Sequence, residues 1–525
     1  MPGVGAAPRA PGAAHPHRLA PHRPHPEEGS TTNRRTEEPQ ESRTGAPASP
    51  APWADPDAGT APGNGSAGTA AESGAAGDPA AGDPGTGDDA AATGGRTRGF
   101  TRRRLVAGAG IAGALGIAGF GGGAIGHHLG REQAAQEAPT QLTYPFRGQH
   151  QQGITTPAQD NMYIAAYDVS TDDVAELKDL LARWTVAAEQ MCAGELVGGE
   201  PDANPNKPPA DTGEAWGYPP AGLSITFGFG RGLFQDADGK DRFGLKAKMP
   251  GVLAEGVPRF ANENLREGSS DGDLVVQACS NDPQVCVHAI RNLTRMAFGT
   301  AVLRWGQIGY GRTSSTSADQ ETPRNLFGFK DGTANIKSQD GDEVLEKEVW
   351  VQDGDDAAAD WMVGGSYLAA RKIHMYLEVW DRVRLSEQEE VIGRDKRYGA
   401  PLSVDDPSAE HEFDALDLSA RREGRPAIPK DAHVAVVAPE NNGGHRMLRR
   451  GYNYTDGNDS LGRLDAGLFF IAFTRDPRAG FFPILRKMTE KDALTEYLQH
   501  VGSALFAVPP GLREGDTMVG QRLFE

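Results

Sequence analysis

The chain has 525 residues and carries 53 Lys+Arg against 72 Asp+Glu, a formal net charge of -19. That sign argues against a nucleic-acid-binding body, and the length allows two ordinary domains plus tails. Three cysteines (Cys192, Cys279, Cys286) are too few for a disulfide-stapled fold. A Cys279 to Cys286 bridge stays open beside the simpler reading of three small buried hydrophobes.

Residues 1–100 are built of Ala, Gly, Pro, Ser, Asp and Arg with few large apolar side chains, a composition that cannot bury a core and predicts disorder. Residues 1–104 hold eleven Arg, no Lys and twelve Asp+Glu, so nearly all of the negative charge lies downstream. Residues 101–138 read as a twin-arginine export segment: Arg102, Arg103 and Arg104 precede an uncharged run from Leu105 to Gly126. Its nine glycines make it a poor transmembrane helix, the competing reading. Cleavage is expected between Ala124 and Ala138, and the twin-arginine machinery and an extracytoplasmic location follow from this reading.

From about Tyr144 the chain reads as globular. Met162–Val169 predicts a buried strand, and Ser170-Thr171-Asp172-Asp173 a helix start. Val174, Leu177, Leu181, Trp184 and Ala188 then recur at helical spacing. Strands at Leu223–Phe229 and Leu274–Cys279, a helix over Asp282–Phe298 and a strand at Ala301–Tyr310 complete a β-α-β-β-α-β order, the ferredoxin-like arrangement. A second copy is expected from a strand at Tyr367–Val379, a short helix at Ser386–Ile392, strands at His433–Val437 and Leu468–Phe473, a helix over Thr489–Val501 and a strand at Ala504–Val508. The fold class is therefore α+β, two ferredoxin-like units packed together over residues 144–340 and 366–525, with 341–365 as linker. Within that linker the acidic run Asp353–Asp360 reads as a solvated stretch rather than a calcium loop.

Six of the thirteen histidines fall in the tail or beside the export segment. Among the others, His433 opens the apolar run HVAVV after Pro429, and Arg449-Arg450-Gly451-Tyr452 follows sixteen residues later. His445 competes but lies in the glycine-rich loop NNGGHR. A carboxylate is offered by Asp331 in the G-x-x-D-G pattern of LFGFKDGTANI; Asp271 matches the same pattern, but within the polar run REGSSDGD. An acid in an apolar wall is the better functional candidate. Gly228, Gly230 and Gly232 have the wrong spacing for a dinucleotide-binding loop, and no zinc spacing exists. Trp305, Tyr310, Tyr452 and Tyr454 are candidates for relaying electrons, against the commoner fate of core packing.

From Tyr144 to the C-terminus the chain resembles the dye-decolorising peroxidases, in particular their exported deferrochelatase/peroxidase branch. The segments that carry the resemblance are YPFRGQHQQGI, LSITFGFGRGLF, LFGFKDGTANI, GGSYLAARKIHMYLEVWDR, IGRDKRYGAPL, LRRGYNY, GLFFIAFTRDPR and ALFAVPPG. The resemblance implies a dimeric α+β barrel-type fold and one haem b per chain. On it, His433 matches the proximal iron ligand, Asp331 the distal acid and base, and Arg449 the distal arginine, while Gly332, Thr333 and Ala334 match haem-lining positions. Asp492 is the expected carboxylate partner of the ligating imidazole. Ala438, Pro439 and Glu440 fall at cofactor-contacting positions, but they and Ala435 lack the basic residues that relatives carry there. Implied partners are hydrogen peroxide, a bulky reducing substrate such as a dye, phenol or porphyrin, and further copies of the chain. An iron-acquisition role with uptake-system components and a non-enzymatic haem carrier are the competing functions.

Overall fold

The computed structural model describes residues 141–199 and 204–525, all within one compact unit. The low-complexity tail (1–100) and the twin-arginine segment (101–138) lie outside the described residues.

The first half follows the predicted order. Strand β1 (Asn161–Val169) leads into helix α1 (Val174–Cys192), whose N-terminus is capped by Asp173 accepting from the Ala175 N–H at 2.7 Å. Leu177, Leu181, Trp184 and Ala188 are buried on its inner stripe. Strands β2 (Ser224–Gly230) and β3 (Leu274–Ser280) precede helix α2 (Pro283–Ala297) and strand β4 (Ala301–Arg312). Asp282 caps α2 through the Gln284 N–H, and Pro283 occupies the first helical position, where its missing donor costs nothing. The antiparallel order is β2-β3-β1-β4.

The second half repeats this pattern with strands β5 (Ser366–Met375), β6 (Tyr452–Asn458), β7 (Leu464–Thr474) and β8 (Leu498–Val508), in the order β8-β5-β7-β6. Helix α3 (Leu385–Ile392) follows β5, and helix α5 (Phe481–Lys491) separates β7 from β8; a single turn, α4 (His433–Val437), lies between them in sequence. The two sheets join edge to edge. Ala507 of β8 pairs with Phe229 of β2, and Tyr310 of β4 pairs with Asn453 of β6. Among the described residues the result is a closed ring of eight antiparallel strands, which leaves these strands no free edge. Alternate residues point inward: Ile164, Leu368, Tyr452, Tyr454, Phe469 and Phe506 fill the barrel. Their neighbours Ala165, Tyr167 and Ala369 pack outward in the core that also holds α1 and α2.

Three predicted elements are corrected. His433–Val437 is helical, not a strand. Its β-branched composition favours an extended chain, but Val436 N–H bonds to Ala432 O at 3.0 Å, and Asn441 and Asn442 side chains cap the carbonyls of Ala435 and Val436 at 2.6 and 2.9 Å. The helix predicted over Thr489–Val501 instead runs Phe481–Lys491 and stops at Asp492, whose ψ of 120 is extended. The residues that follow make a short 3-10 turn and then β8, drawn into ten paired positions along β5. Strand β5 ends at Met375, and the chain then turns into a short helix at Leu377–Trp380.

The acidic run Asp353–Asp360 is largely exposed and is tied down at two points. Asp355 meets Arg475 in a two-point ion pair (2.7 and 2.6 Å), and Asp356 accepts from the Gly251 N–H at 2.6 Å. Just beyond it, buried Trp361 donates to Lys248 O at 2.9 Å. Among the described residues no group of His, Cys, Asp and Glu is arranged to hold a metal ion, and no helix is long and apolar enough to cross a membrane. Cys192, Cys279 and Cys286 are all free and buried, so the bridge left open by the sequence is not formed.

Candidate active site

Asp331 sits at the head of a turn fixed from both sides. Its N–H bonds to Pro323 O at 2.9 Å, and the turn closes through the Asn335 N–H to Gly332 O at 3.1 Å. Gly332 is required here: its φ is +92, and a Cβ would lie 2.9 Å from the Ser314 Cα. Below the turn, Phe327 and Phe329 are buried against Trp380, with Phe327 4.5 Å from the Trp380 ring, and the Trp380 indole N–H donates to Phe327 O at 3.1 Å. The apolar wall read from LFGF is thus present.

Arg449 reaches this carboxylate from a strand. Leu448–Arg449 pairs with β7 in the register that β6 continues: Arg449 lies opposite Ala472, and Tyr452 opposite Phe469. Strand alternation therefore sends the two arginines to opposite faces. Arg450 points into the barrel, fully buried, and donates to Thr156 O at 2.5 Å and to Gln159. Arg449 points outward, and its Nη1 donates to Asp331 Oδ1 at 2.7 Å. Asn325 Nδ2 donates to the other carboxylate oxygen at 3.2 Å.

His433 opens α4, and its Nδ1 donates to Asp492 Oδ2 at 2.7 Å. Asp492 is buried, and its second oxygen accepts from the Leu494 N–H at 2.9 Å, capping the 3-10 turn that begins at Ala493. Asp492 is therefore both a helix-start acid and the imidazole's partner. Burial pushes the His433 pKa down, but the Asp492 charge and hydrogen bond outweigh it, so the net shift is upward. Asp331 and Arg449 also act on this imidazole, with opposite signs. His445, the competitor, is a half-buried loop residue with its Nδ1 3.5 Å from Glu348.

The remaining predicted residues divide. Thr333 is half-buried, and the carbonyl of exposed Ala334 accepts from Arg446 Nη2 at 3.5 Å. Ala438 is buried with its carbonyl taken by Asn442 Nδ2 at 2.9 Å, Pro439 is half-buried and Glu440 is exposed. Among the described residues none of these three bonds to Asp331 or Arg449. Trp305, Tyr452 and Tyr454 lie in the barrel core, whereas Tyr310 is 41% exposed.

Sequence reading missed several contributors. Lys337 donates to Ser315 O at 2.6 Å and Gly332 O at 3.3 Å; burial, aided by the Arg449 charge, pushes its pKa down to about 8. Buried Arg394 donates to Gly399 O at 2.6 Å and Glu412 O at 2.9 Å; burial lowers its pKa to about 10 against the pull of Glu412, and Arg449 adds to the lowering. Arg394 stands inside IGRDKRYGAPL, one of the segments that carry the resemblance. This donor set fits a haem. One imidazole has its far nitrogen tied to a buried carboxylate, an acid–guanidinium pair acts on it electrostatically, and partly desolvated cations beside Arg449 would favour anionic propionates.

The family description Dyp-type peroxidase, N-terminal, matches residues 151–311, and Dyp-type peroxidase, C-terminal, matches residues 322–513. The chain belongs to the Dyp-type peroxidase family. As a Dyp-type peroxidase it is a haem-binding oxidoreductase. It is 36% identical over 434 residues to the Deferrochelatase of Escherichia coli strain K12, covering 81% of this chain and 96% of that relative. Among solved structures it is similar to ferric DtpA from Streptomyces lividans, at 37% identity and TM-score 0.65 over 74% of this chain and 99% of that one. The Dyp-type peroxidases of Streptomyces coelicolor (37% identity, TM-score 0.66) and Cellulomonas bogoriensis (36%, 0.63) each match 74% of this chain and the whole of theirs.

Proposed function

We propose that this chain reduces hydrogen peroxide with one haem b held by His433, and oxidises bulky phenolic, dye or porphyrin-type substrates. When bound, the haem supplies the iron that takes peroxide and the electrons for its O–O cleavage. Asp331 takes the proton from the inner peroxide oxygen and delivers it to the outer one, so that water can leave. Arg449 lends a permanent positive charge to the oxygen on which negative charge develops. Asp492 holds the His433 ring in one orientation with Nε2 directed away from the carboxylate. Because a carboxylate does the proton work, turnover is expected to favour acid pH.

The observation that carries this reading is the 2.7 Å contact between Asp331 and Arg449. A haem carrier needs His433 but neither of those two side chains. Asp331→Asn is expected to abolish peroxide turnover while the haem absorption spectrum persists; undiminished turnover would remove Asp331 from the mechanism. His433→Ala is expected to alter that spectrum, whereas an alteration only in His445→Ala would move ligation to His445.

A second reading, iron release from haem, is favoured by similarity along 96% of the length of relatives named Deferrochelatase. Metal-free porphyrin accumulating with the loaded protein, without peroxide, is its signature. Export by the twin-arginine route is supported by the extent of the same match: 81% of this chain is more than residues 141–525 hold, so the similarity reaches into the segment before Thr140. Secretion of a reporter fused behind residues 1–140, lost on replacing Arg102 to Arg104 by Lys, tests it.

A further inference from the structure

Arg449 occupies a position where the sheet runs out of partners. Its neighbour Arg450 donates its N–H to Ile471 O of β7 at 2.8 Å, so the Arg449 N–H and C=O point the other way, toward the side on which β4 flanks β6. Strand β4 ends at Arg312, and its continuation reaches only as far as the Thr313 N–H on Gly451 O at 2.9 Å. The Arg449 backbone would be left with an unmet donor and acceptor in a half-buried site.

The side-chain amide of Asn335 fills that gap. Its Oδ1 accepts from the Arg449 N–H at 2.7 Å, and its Nδ2 donates to the Arg449 C=O at 2.8 Å and to Ser315 O at 3.0 Å. The amide thus presents the acceptor and donor that a neighbouring strand residue would offer. Asn335 is itself buried, and its backbone N–H closes the turn onto Gly332 O, next to Asp331. One residue therefore ties the loop that carries the carboxylate to the strand that carries the guanidinium.

We infer that Asn335 is a positioning residue for peroxide activation, setting the Arg449 guanidinium against Asp331 by acting as a one-residue substitute for the missing strand. This rests on the proposed role of Arg449. A displacement of about 1 Å in a reacting group costs about 10²-fold in rate, and that is the scale expected for Asn335→Ala in the second-order reaction with peroxide. The later step, oxidation of the reducing substrate, does not use the pair and should stay within about twofold.

The test uses full-length loaded protein and three variants, Asn335→Ala, Arg449→Leu and the double variant, with stopped-flow peroxide kinetics and hydrogen exchange of the peptide containing Arg449. The expected result is about a 10²-fold loss in Asn335→Ala, no further loss when it is added to Arg449→Leu, and exchange in the Arg449 peptide faster by about tenfold. An equal loss in the Arg449→Leu background would overturn the inference, because Asn335 would then act through something else. Unchanged exchange would overturn the clamp itself. A normal peroxide rate in Arg449→Leu alone would instead overturn the role of Arg449, while the exchange result still reports on the clamp. Should Asn335→Ala fail to fold, Asn335→Asp keeps the acceptor for the Arg449 N–H and loses both donated bonds; an intermediate loss supports the inference and an unchanged peroxide rate refutes it.

Discussion

Replacing Asp492 probes the tether on His433. Its carboxylate accepts at both oxygens, from His433 Nδ1 at 2.7 Å and from the Leu494 N–H at 2.9 Å. Alanine removes both. A hydrogen bond to a charged group contributes about 1.5–3 kcal/mol and a helix cap about 1 kcal/mol, so Asp492→Ala should destabilise the apoprotein by roughly 3 kcal/mol. Asparagine keeps the shape but has one acceptor oxygen, so either His433 or Leu494 meets an N–H instead; a cost of about 1–3 kcal/mol is expected. Loss of a second partner behind a ligating imidazole costs about 10- to 100-fold in metal affinity, or about 1.4–2.8 kcal/mol. Urea unfolding of the apoproteins measures the first pair of values, and competition for haem with an apo-globin acceptor measures the second. Haem affinity within twofold of wild type in Asp492→Ala, with an unaltered absorption spectrum, would refute the tether.

Gly332→Ala should lower stability by about 1–3 kcal/mol and slow peroxide turnover, since the new Cβ meets the Ser314 backbone at a φ of +92; unchanged turnover would show that the Asp331 turn tolerates displacement. Trp380→Ala should cost about 3–5 kcal/mol and disturb both the Asp331 turn and the Asp492 region. Its ring contacts Phe327 at 4.5 Å on the Asp331 side and Tyr497 at 5.0 Å on the Asp492 side, so loss of peroxide turnover without weaker haem retention would contradict that bridging role. His500 is buried beside Arg371, and burial first, then the Arg371 charge, lowers its pKa to about 3. With an unfolded value near 6.5, its contribution is fully present above about pH 6.5 and is lost as pH falls toward 3, reaching roughly 3 kcal/mol at about pH 4. His500→Gln should therefore flatten the acid side of the stability profile between those values in urea titrations; an equally steep fall would assign the acid loss to other groups.

Local signals fixed the elements that are self-sufficient. Asp173 and Asp282 sit where an apolar stripe begins, and each caps its helix as the residue pattern predicts. The first β-α-β-β-α-β unit was legible for the same reason, since alternation and helical spacing are properties of short segments, whereas in the second the strand Tyr452–Asn458 was missed and His433–Val437 stood in its place. The setting of Asp331 was legible too, because LFGFKDG places the acid in an apolar wall; the conformational demand on Gly332 was not.

Tertiary structure decided everything that depends on what lies beside a segment. HVAVV has strand composition, yet two asparagine side chains from beyond its end satisfy the carbonyls of a helical turn. Residues 498–501 lie in what reads as a helix, but β5 offers this stretch partners along its ladder. The sequence by itself supplied His433, Asp331 and a pair of arginines, and resemblance chose Arg449 and pointed to Asp492. What separates Arg449 from Arg450 physically is the pleat, which turns one side chain onto Asp331 and the other into the barrel. Asn335 gave no sign at all, because its role exists only where β4 has left the sheet: a backbone donor and acceptor need partners wherever they are buried, and no pattern along the chain says which edge will lack them.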